Sequence, residues 1–482
     1  MAVLIVESAG FICSGSHPAP TLRFENDMEA SANKKRILIL GGGFAGAYTA
    51  LYLQKLLSGT PDIEVMVVAQ ENFILFTPML HEVAGSDAAA TDVVQPLRKM
   101  LRRTSVLIGD VESIDFEKKQ VRVHQSNLVN RRDVTYDQLV LALGSVTNFY
   151  GTPGIEEYAL TMKTLGDALV VRNRAIDVLE LADSEPDEAQ RRAMMTVVVA
   201  GGGFAGVETV GAVNDLLREA LKLYNNLNED MLRMVLVDAG QIILPELGES
   251  LGLYAEKQLS RRGVEIHLNT AVKSYDGKEV VLSDGTRIPS RMIVWTAGIT
   301  PVPIVATTPC AKERGHIVGN EFLQVPGLPG AWALGDCAIV PDLTRPGKSC
   351  PPTAQHATRQ AKVLAHNIVA AINGQPLRPF KFKTLGLLAT IGRRTGVAEI
   401  MGIQFSGIIA WWFWRAIYLS KLPGLRNKVR VALDWALDLC FSKDIVQLRA
   451  LPTPTMSGRE ALPALLVNEK ACSSPEHTEK IA

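Results

Sequence analysis

Two copies of one hexapeptide open the functional reading. GGGFAG stands at Gly41, Gly42, Gly43, Phe44, Ala45 and Gly46, and again at Gly201, Gly202, Gly203, Phe204, Ala205 and Gly206. Each copy follows an apolar, mostly β-branched run, RILIL or TVVVA, and leads into residues whose apolar positions recur at helical spacing. G-x-G-x-x-G between a strand and a helix is a phosphate cradle: the first glycine makes the tight turn, the second lets backbone approach a pyrophosphate, and the third packs helix on strand. The free N–H groups of the helix start then face the phosphate charge. Two structural turns without a ligand are the plainer alternative, but the repeated strand and helix context predicts two dinucleotide sites.

The strand after each cradle should end in an acid that accepts ribose hydroxyls. In the second copy this is Asp238, in VLVDAG, and an acid there repels a 2′-phosphate, favouring NADH over NADPH. In the first copy Ala69 or Gln70 holds the equivalent place, and Glu71 is the nearest acid able to reach a ribose from the loop. The elements that position these residues are a βαβ unit from Arg36 to Glu71, and a second unit whose helix is expected to run on through Lys222 and Tyr224. YDQLVLALGSVTNF and RMIVWTAGITPVP mark where the chain leaves one nucleotide domain and re-enters it, so an inserted domain is expected at about 155–305. WALGDCAIVP reads as a strand ending at Gly335 and Asp336, and TAQHATRQAKVLAHNIVAAING as a helix closed by Asn373 and Gly374.

The 482 residues carry 47% hydrophobic and 21% charged residues, with 50 basic against 50 acidic, a globular composition with no global field for nucleic acid. Six cysteines (Cys13, Cys310, Cys337, Cys350, Cys440, Cys472) lack any C-x-x-C or metal-ligand spacing, so no disulfide framework, metal site or dithiol centre is expected. The apolar start MAVLIVESAGFICSG is interrupted by Glu7 and has no basic flank, which reads as a disordered extension over 1–34, with Met28 an alternative start, rather than a signal peptide. No run reaches the ~18 apolar residues of a spanning helix; FSGIIAWWFWRAIYL is broken by Arg415. Residues 406–450 crowd Trp411, Trp412, Phe413, Trp414 and Tyr418, and hold seven basic residues against three acidic ones. Val429, Leu433, Leu437 and Cys440 recur at near-helical spacing, and the segment reads as an amphipathic helix on an anionic bilayer surface, or one packed on its own domain or a dimer partner. Residues 451–482 read as a disordered tail.

These motifs together resemble the two-dinucleotide flavoprotein reductases of the FAD-dependent pyridine nucleotide-disulfide oxidoreductase superfamily. Besides the two cradles, the resemblance is carried by A-x-G at Ala142–Gly144, TAG at Thr296–Gly298 and ALGD at Ala333–Asp336. FTPML at Phe76–Leu80, GVE at Gly206–Glu208 and PPTAQ at Pro351–Gln355 narrow it to the type II NADH dehydrogenases, the single-chain NADH:quinone oxidoreductases. The resemblance implies an α/β fold of two nested Rossmann-like domains plus a C-terminal amphipathic helical membrane-association segment. An FAD-binding domain would comprise 35–154 and 306–400, the NADH-binding domain 155–305, and the membrane-associating region 401–450.

It further implies FAD on the first cradle, with Glu71, Thr77, Pro78, Gly144, Asp336 and Ala354 around it, and NADH on the second, with Asp238 and Gly298. The helix starting near Thr353 would aim its positive end at the flavin, a dipole contribution of about 0.3–1 kcal/mol toward the reduced anion. Glu208, in the first turn of the second cradle helix, would lie beside the nicotinamide, and Gln355 near the quinone head group. A departure stands at Thr384-Leu385-Gly386, where the family often has Asp-Lys-Gly; Lys381 and Lys383 are nearby, and the alternation of FKFK points both toward solvent. Without a cysteine pair near the first unit, a membrane quinone (ubiquinone or menaquinone) is the expected oxidant, with no proton pumping, at the cytoplasmic face of the inner (plasma) membrane. Alternatives are a soluble reductase using oxygen or a protein carrier, and a flavin-bound redox sensor or scaffold; a homodimer is compatible with all three.

Overall fold

The computed structural model describes residues 34–125, 131–438 and 440–447. Apart from Lys34, the expected N-terminal extension and the expected C-terminal tail lie outside the described residues.

Two five-stranded parallel sheets form the body. The first has the order Ala331–Ala333, Gln138–Leu141, Lys35–Leu40, Ile63–Ala69, Ser105–Ile108. The second repeats this plan with Leu160–Thr161, Met292–Trp295, Thr196–Ala200, Arg233–Val237, Val264–His267. Parallel strands need crossover connections and cover on both faces, which is why their sequences are near-continuous apolar runs. On one face of the first sheet the helix Phe44–Leu56 packs against the helix Ala354–Ile372, Ala47 and Ala50 meeting Ala357 and Ala361 in one buried cluster. The other face buries Leu38, Leu40 and Leu139 with Val121 and Val134 of a three-stranded antiparallel sheet. In the second sheet Val197 and Val199 face the helices Leu165–Ser184 and Phe204–Leu221, while Val198 and Val235 face Val272, Val280 and Ile288 of another small sheet.

The long helix after Thr353 spans Ala354–Ile372 with Asn373 as its cap and Gly374 at φ 66°, as the sequence indicates. The second cradle helix, by contrast, stops at Leu221 rather than running through Tyr224. Backbone bonds from Leu223 and Tyr224 to Ala220 and Leu221 tighten its end into a turn.

Between the sheets the chain crosses on two short strands, Ser145–Thr147 and Ile299–Pro301, which pair antiparallel. Beyond the first sheet a three-stranded antiparallel unit (Gly386–Thr390, Gly396–Ile400, Ile403–Ser406) leads into the helices Gly407–Lys421 and Leu425–Leu437. Here the expectation for the tryptophans is corrected. Trp411, Trp414 and Trp435 are buried, and Trp414, completely buried, lies with Trp435 in the same core as Met79 and Val83 from the first unit and Val171, Val207 and Val210 from the second. Arg415 stacks over Trp411 and Trp435, at 4.0 and 4.6 Å from their ring centroids. The reason is helical phase: within Trp411–Trp414 only Trp412 and Phe413 turn outward.

The last described stretch then ties the body together. Asn427 Nδ2 donates to the Val94 carbonyl at 2.6 Å, Arg430 pairs with Asp92 at 3.1 Å, and Lys443 Nζ donates to Asp87 at 2.8 Å. Arg172 donates to Ser86 at 2.6 Å and to the Val446 carbonyl at 2.8 Å. Truncating the chain near Gly402 would therefore remove core, not only surface. Trp414→Ala is expected to destabilise the protein by about 3–5 kcal/mol, read as a lowered urea midpoint, whereas Trp412→Ala, at a position 57% exposed, leaves the midpoint within error.

Candidate active site

The two cradles are built alike. Gly41 and Gly201 both sit at φ 117°, and each donates its N–H to the strand beside it, to Val68 and Val237 at 2.8 Å. A Cβ on Gly46 would fall 1.9 Å from the Gly41 carbonyl, and one on Gly206 1.8 Å from that of Gly201, so only glycine closes either turn. Gly43 and Gly203 have nothing within 4 Å of a Cβ position, and as helix caps they offer no side-chain acceptor. The first N–H groups of each helix are thus left for a ligand's phosphates, and the residues present fit a dinucleotide at each cradle.

At the second cradle Asp238 accepts from Gly202 N at 2.5 Å and from Gly240 N at 2.6 Å, which fixes its carboxylate at the strand end. Gly298 lies under the ring of Tyr150, whose hydroxyl would be 2.2 Å from a Cβ there. At the first cradle Glu71 is exposed, while Gln70 donates to Asp110 at 2.8 Å. Gly144 is at φ 72° with open space at its Cβ position, and Thr77 and Pro78 lie in a 3-10 turn whose cap, Phe76, meets Phe44 edge-on with ring centroids 5.8 Å apart. Asp336 accepts from Ser145 Oγ at 3.0 Å, and Lys163 donates to Ser145 at 2.8 Å while standing 3.5 Å from Asp336. Sequence reading missed Lys163 and Ser145; nothing local marks them, because they meet Asp336 only where the chain crosses between sheets.

Ala354 begins the long helix, and its cap Thr353 accepts from His356 N at 3.3 Å. Burial holds His356 well below its ordinary range, at about 4, so the ring is neutral. Gln355 is committed to backbone: its Oε1 accepts from Leu385 N at 2.8 Å and its Nε2 donates to the Gly386 carbonyl at 3.2 Å. It clasps the Thr384-Leu385-Gly386 departure from the family motif. Lys381 and Lys383 are exposed, as the alternation indicated, and Phe382 is half-buried under Arg359, 4.1 Å from its ring centroid.

Glu208 is the fifth residue of its helix, not a first-turn residue, and is buried. Its carboxylate is engaged by other segments: Oε1 accepts from Thr390 N at 3.3 Å, and Oε2 lies 3.3 Å from His81 Nδ1. Cys310 and Cys350 are free and sit in separate hydrophobic clusters. Among the described residues no group of His, Cys, Asp and Glu is arranged to hold a metal ion.

Two matched cradles of dinucleotide-binding form in nested α/β units are the plan of a flavoprotein oxidoreductase. The model of the pyridine nucleotide-disulphide oxidoreductases matches residues 35–361, and that of the NDH2 C-terminal domain residues 385–444. The type II NADH:quinone oxidoreductase Ndh of Mycobacterium tuberculosis is 31% identical, over 84% of this chain and 88% of its own. NdhA of the same organism is 29% identical over 94% of this chain and 98% of its own. Among solved structures, NDH2 from Plasmodium falciparum in complex with NADH superposes with a TM-score of 0.78 at 20% identity, covering 86% of this chain and 100% of that one. This chain belongs to the pyridine nucleotide-disulphide oxidoreductase family and, within it, to the type II NADH:quinone oxidoreductases, a family that uses FAD.

If Asp238 has the ribose role that the resemblance implies, Asp238→Ala is expected to erase a preference for NADH over NADPH, since a carboxylate there would accept from ribose hydroxyls and repel a 2′-phosphate. The ratio of kcat/KM for the two coenzymes is the measurement.

Proposed function

We propose that this chain oxidises NADH and passes two electrons through FAD to a membrane quinone, ubiquinone or menaquinone, without pumping protons. In this reading residues 35–154 with 306–400 hold FAD, 155–305 hold NADH, and 401–450 associate with the membrane. The observation that carries it is the pair of matched, uncapped cradles within one body, the second closed by Asp238 and the first lacking that acid. Bound FAD supplies a two-electron carrier between hydride donor and quinone.

The protein's part is placement. Gly41, Gly43 and Gly46 give backbone access to the FAD pyrophosphate; Asp336, braced by Ser145 and Lys163, takes the ribityl chain; Thr77 and Pro78 border the ring. Gly201, Gly203 and Gly206 do the same for NADH, Asp238 accepts from its ribose, and Glu208 faces the seam between the units. Gln355 shapes the quinone approach through the Leu385–Gly386 backbone it holds, its amide being engaged at both ends.

No helix among the described residues is long and apolar enough to cross a membrane. A bilayer face is instead offered by Ile408, Ile409, Trp412, Leu425, Val429, Leu433 and Leu437, all exposed, with Lys421 and Arg426 exposed beside them. The stripe Val429, Leu433 and Leu437 is on the outer side of its helix, and Asn427, Val431 and Trp435 on the inner side. An apolar surface rimmed by cations suits an anionic leaflet, each cation adding about 1 kcal/mol near the surface. We place the protein peripherally on the cytoplasmic face of the inner membrane.

Anaerobic NADH should bleach the flavin of the holoprotein, and a ubiquinone or menaquinone analogue should restore the colour within turnover time. Recovery with oxygen or a protein carrier, but with no quinone, would overturn the assignment. The double variant Trp412→Glu, Leu433→Glu should leave thermal stability unchanged and abolish co-sedimentation with anionic vesicles; retained sedimentation removes this face as the anchor.

A further inference from the structure

His81 has no part in the nucleotide and quinone contacts above, yet it is buried at the seam of the two units. It sits in the short helix Leu80–Ala84, with Nδ1 3.3 Å from Glu208 Oε2. Nε2 is 3.0 Å from Thr390 Oγ1 and 3.8 Å from Glu82 Oε1. Trp414 stands edge-on to the ring, its centroid 5.3 Å away, and fixes the plane of the imidazole. The two nitrogens thus face different carboxylates, one from each unit, and an imidazole so placed can gain a proton on one side and release one on the other.

Glu82 and Thr390, which flank Nε2, also line a cavity of about 30 Å³ that several charged side chains border, enough for a water molecule. His81 itself, Asp87, Asp215, Arg415 and Asp438 also line it, together with the exposed Arg393 and Arg394. Two buried atoms on this wall, Arg415 Nε and Asp438 Oδ2, have no hydrogen-bond partner in the protein, so the cavity holds both a donor and an acceptor for water. Lys443 lies behind it, paired to Asp87 at 2.7 Å, and Trp435 donates to Glu82 at 2.8 Å.

We infer that His81 is a proton-relay residue: it takes a proton from this water-accessible cavity at Nε2 and passes the proton on Nδ1 to Glu208, supplying the solvent proton that quinone reduction consumes. The inference rests on the proposed function. In that reaction the C4–H bond of NADH breaks, giving two electrons and one hydrogen nucleus; the quinol takes up two electrons and two protons, so one proton per turnover comes from water. The relay returns to its starting state by tautomer exchange through water, Nδ1 regaining one proton as Nε2 releases one to the cavity, with no net change on the ring.

The electrostatics favour this route. Burial alone would lower the His81 pKa, but Glu208, Glu82 and Asp87 outweigh it and raise the value above the ordinary 6.5. Burial, then Asp87, pushes Asp438 up to about 7, so a group at the cavity exchanges protons near neutrality.

The test uses the holoenzyme and two acceptors: a quinone analogue, which needs the proton, and ferricyanide, which takes electrons and releases one. His81→Gly should lower quinone reductase kcat about a hundredfold, leave the ferricyanide rate within about twofold, and regain quinone activity with added imidazole. Equal loss with both acceptors, or no loss with quinone, overturns the relay. As a second measurement independent of turnover, ¹⁵N-histidine NMR of the full chain, assigned with His81→Asn, should show His81 titrating above 6.5 and shifting to lower pH in Glu208→Gln. A His81 signal that Glu208→Gln does not move also overturns it. Wild type that reduces ferricyanide but no quinone would instead sink the proposed function, and the NMR result would still judge the coupling of His81 to Glu208.

Discussion

The rest of the molecule depends on one hydrophobic core that does not respect the boundary between its two nucleotide units. Met79 and Val83 come from the first unit, Val207 and Val210 from the second, and Trp414 and Trp435 from the C-terminal helices; all are buried in one cluster. Each parallel sheet positions its own cradle at the carboxyl ends of its strands, but a sheet cannot set its angle to another sheet. Shared burial does that. Domains joined only by the paired crossover strands Ser145–Thr147 and Ile299–Pro301 would be expected to move freely, whereas burying a residue as large as Trp414 between them makes opening costly. Electron transfer between two bound cofactors requires that fixed approach.

A core this apolar also contains charge, and that combination calls for a functional reason. His81, Glu82, Glu208 and Arg415 meet within it, and taking such groups from water costs several kcal/mol each before pairing returns part of it. Burial, with Asp87 second, raises Glu82; His81, Arg415 and the Trp435 indole only partly oppose this. Arg415 is held by two indole faces rather than by a bidentate carboxylate, an arrangement that keeps its charge available to the cavity. Aliphatic residues of the same volume would make a firmer seam. What the polar cluster adds is titratable groups in contact with both units.

Local features were legible in the sequence and long-range ones were not. GGGFAG, Asp238 and the helix Ala354–Ile372 are encoded by neighbours within a few residues, through glycine conformation, strand ending and cap chemistry. His81, Glu208 and Thr390 lie in three distant segments, and no spacing rule connects them. Lys163 and Ser145 escaped for the same reason. The aromatic run misled differently. Composition gave a membrane-facing cluster, but a helix separates adjacent residues by about 100°, so Trp411 and Trp412 face opposite media. In the helix Leu425–Leu437 both faces carry large apolar groups, and an apolar stripe by itself cannot say which one faces the protein. The packing of Trp435 against Trp414 decides it.

Identical turns cannot distinguish nucleotides. Gly41 and Gly201 share a φ of 117°, their third glycines meet the same carbonyl at nearly the same distance, and both cradle helices start uncapped. Any selectivity must come from side chains outside the hexapeptide. At the second cradle Asp238 is locked by two backbone amides at the end of its strand. At the first, Ala69 is buried and Gln70 is drawn away to Asp110, leaving the loop acid Glu71 exposed. A carboxylate held rigidly by its own cradle discriminates well because a 2′-phosphate cannot displace it without breaking both amide bonds. An exposed loop acid with no such amide bonds has no such penalty to impose. In the proposed reading the duplicated motif is a common phosphate grip, and strand ends and the seam beyond them would divide its two copies into different roles.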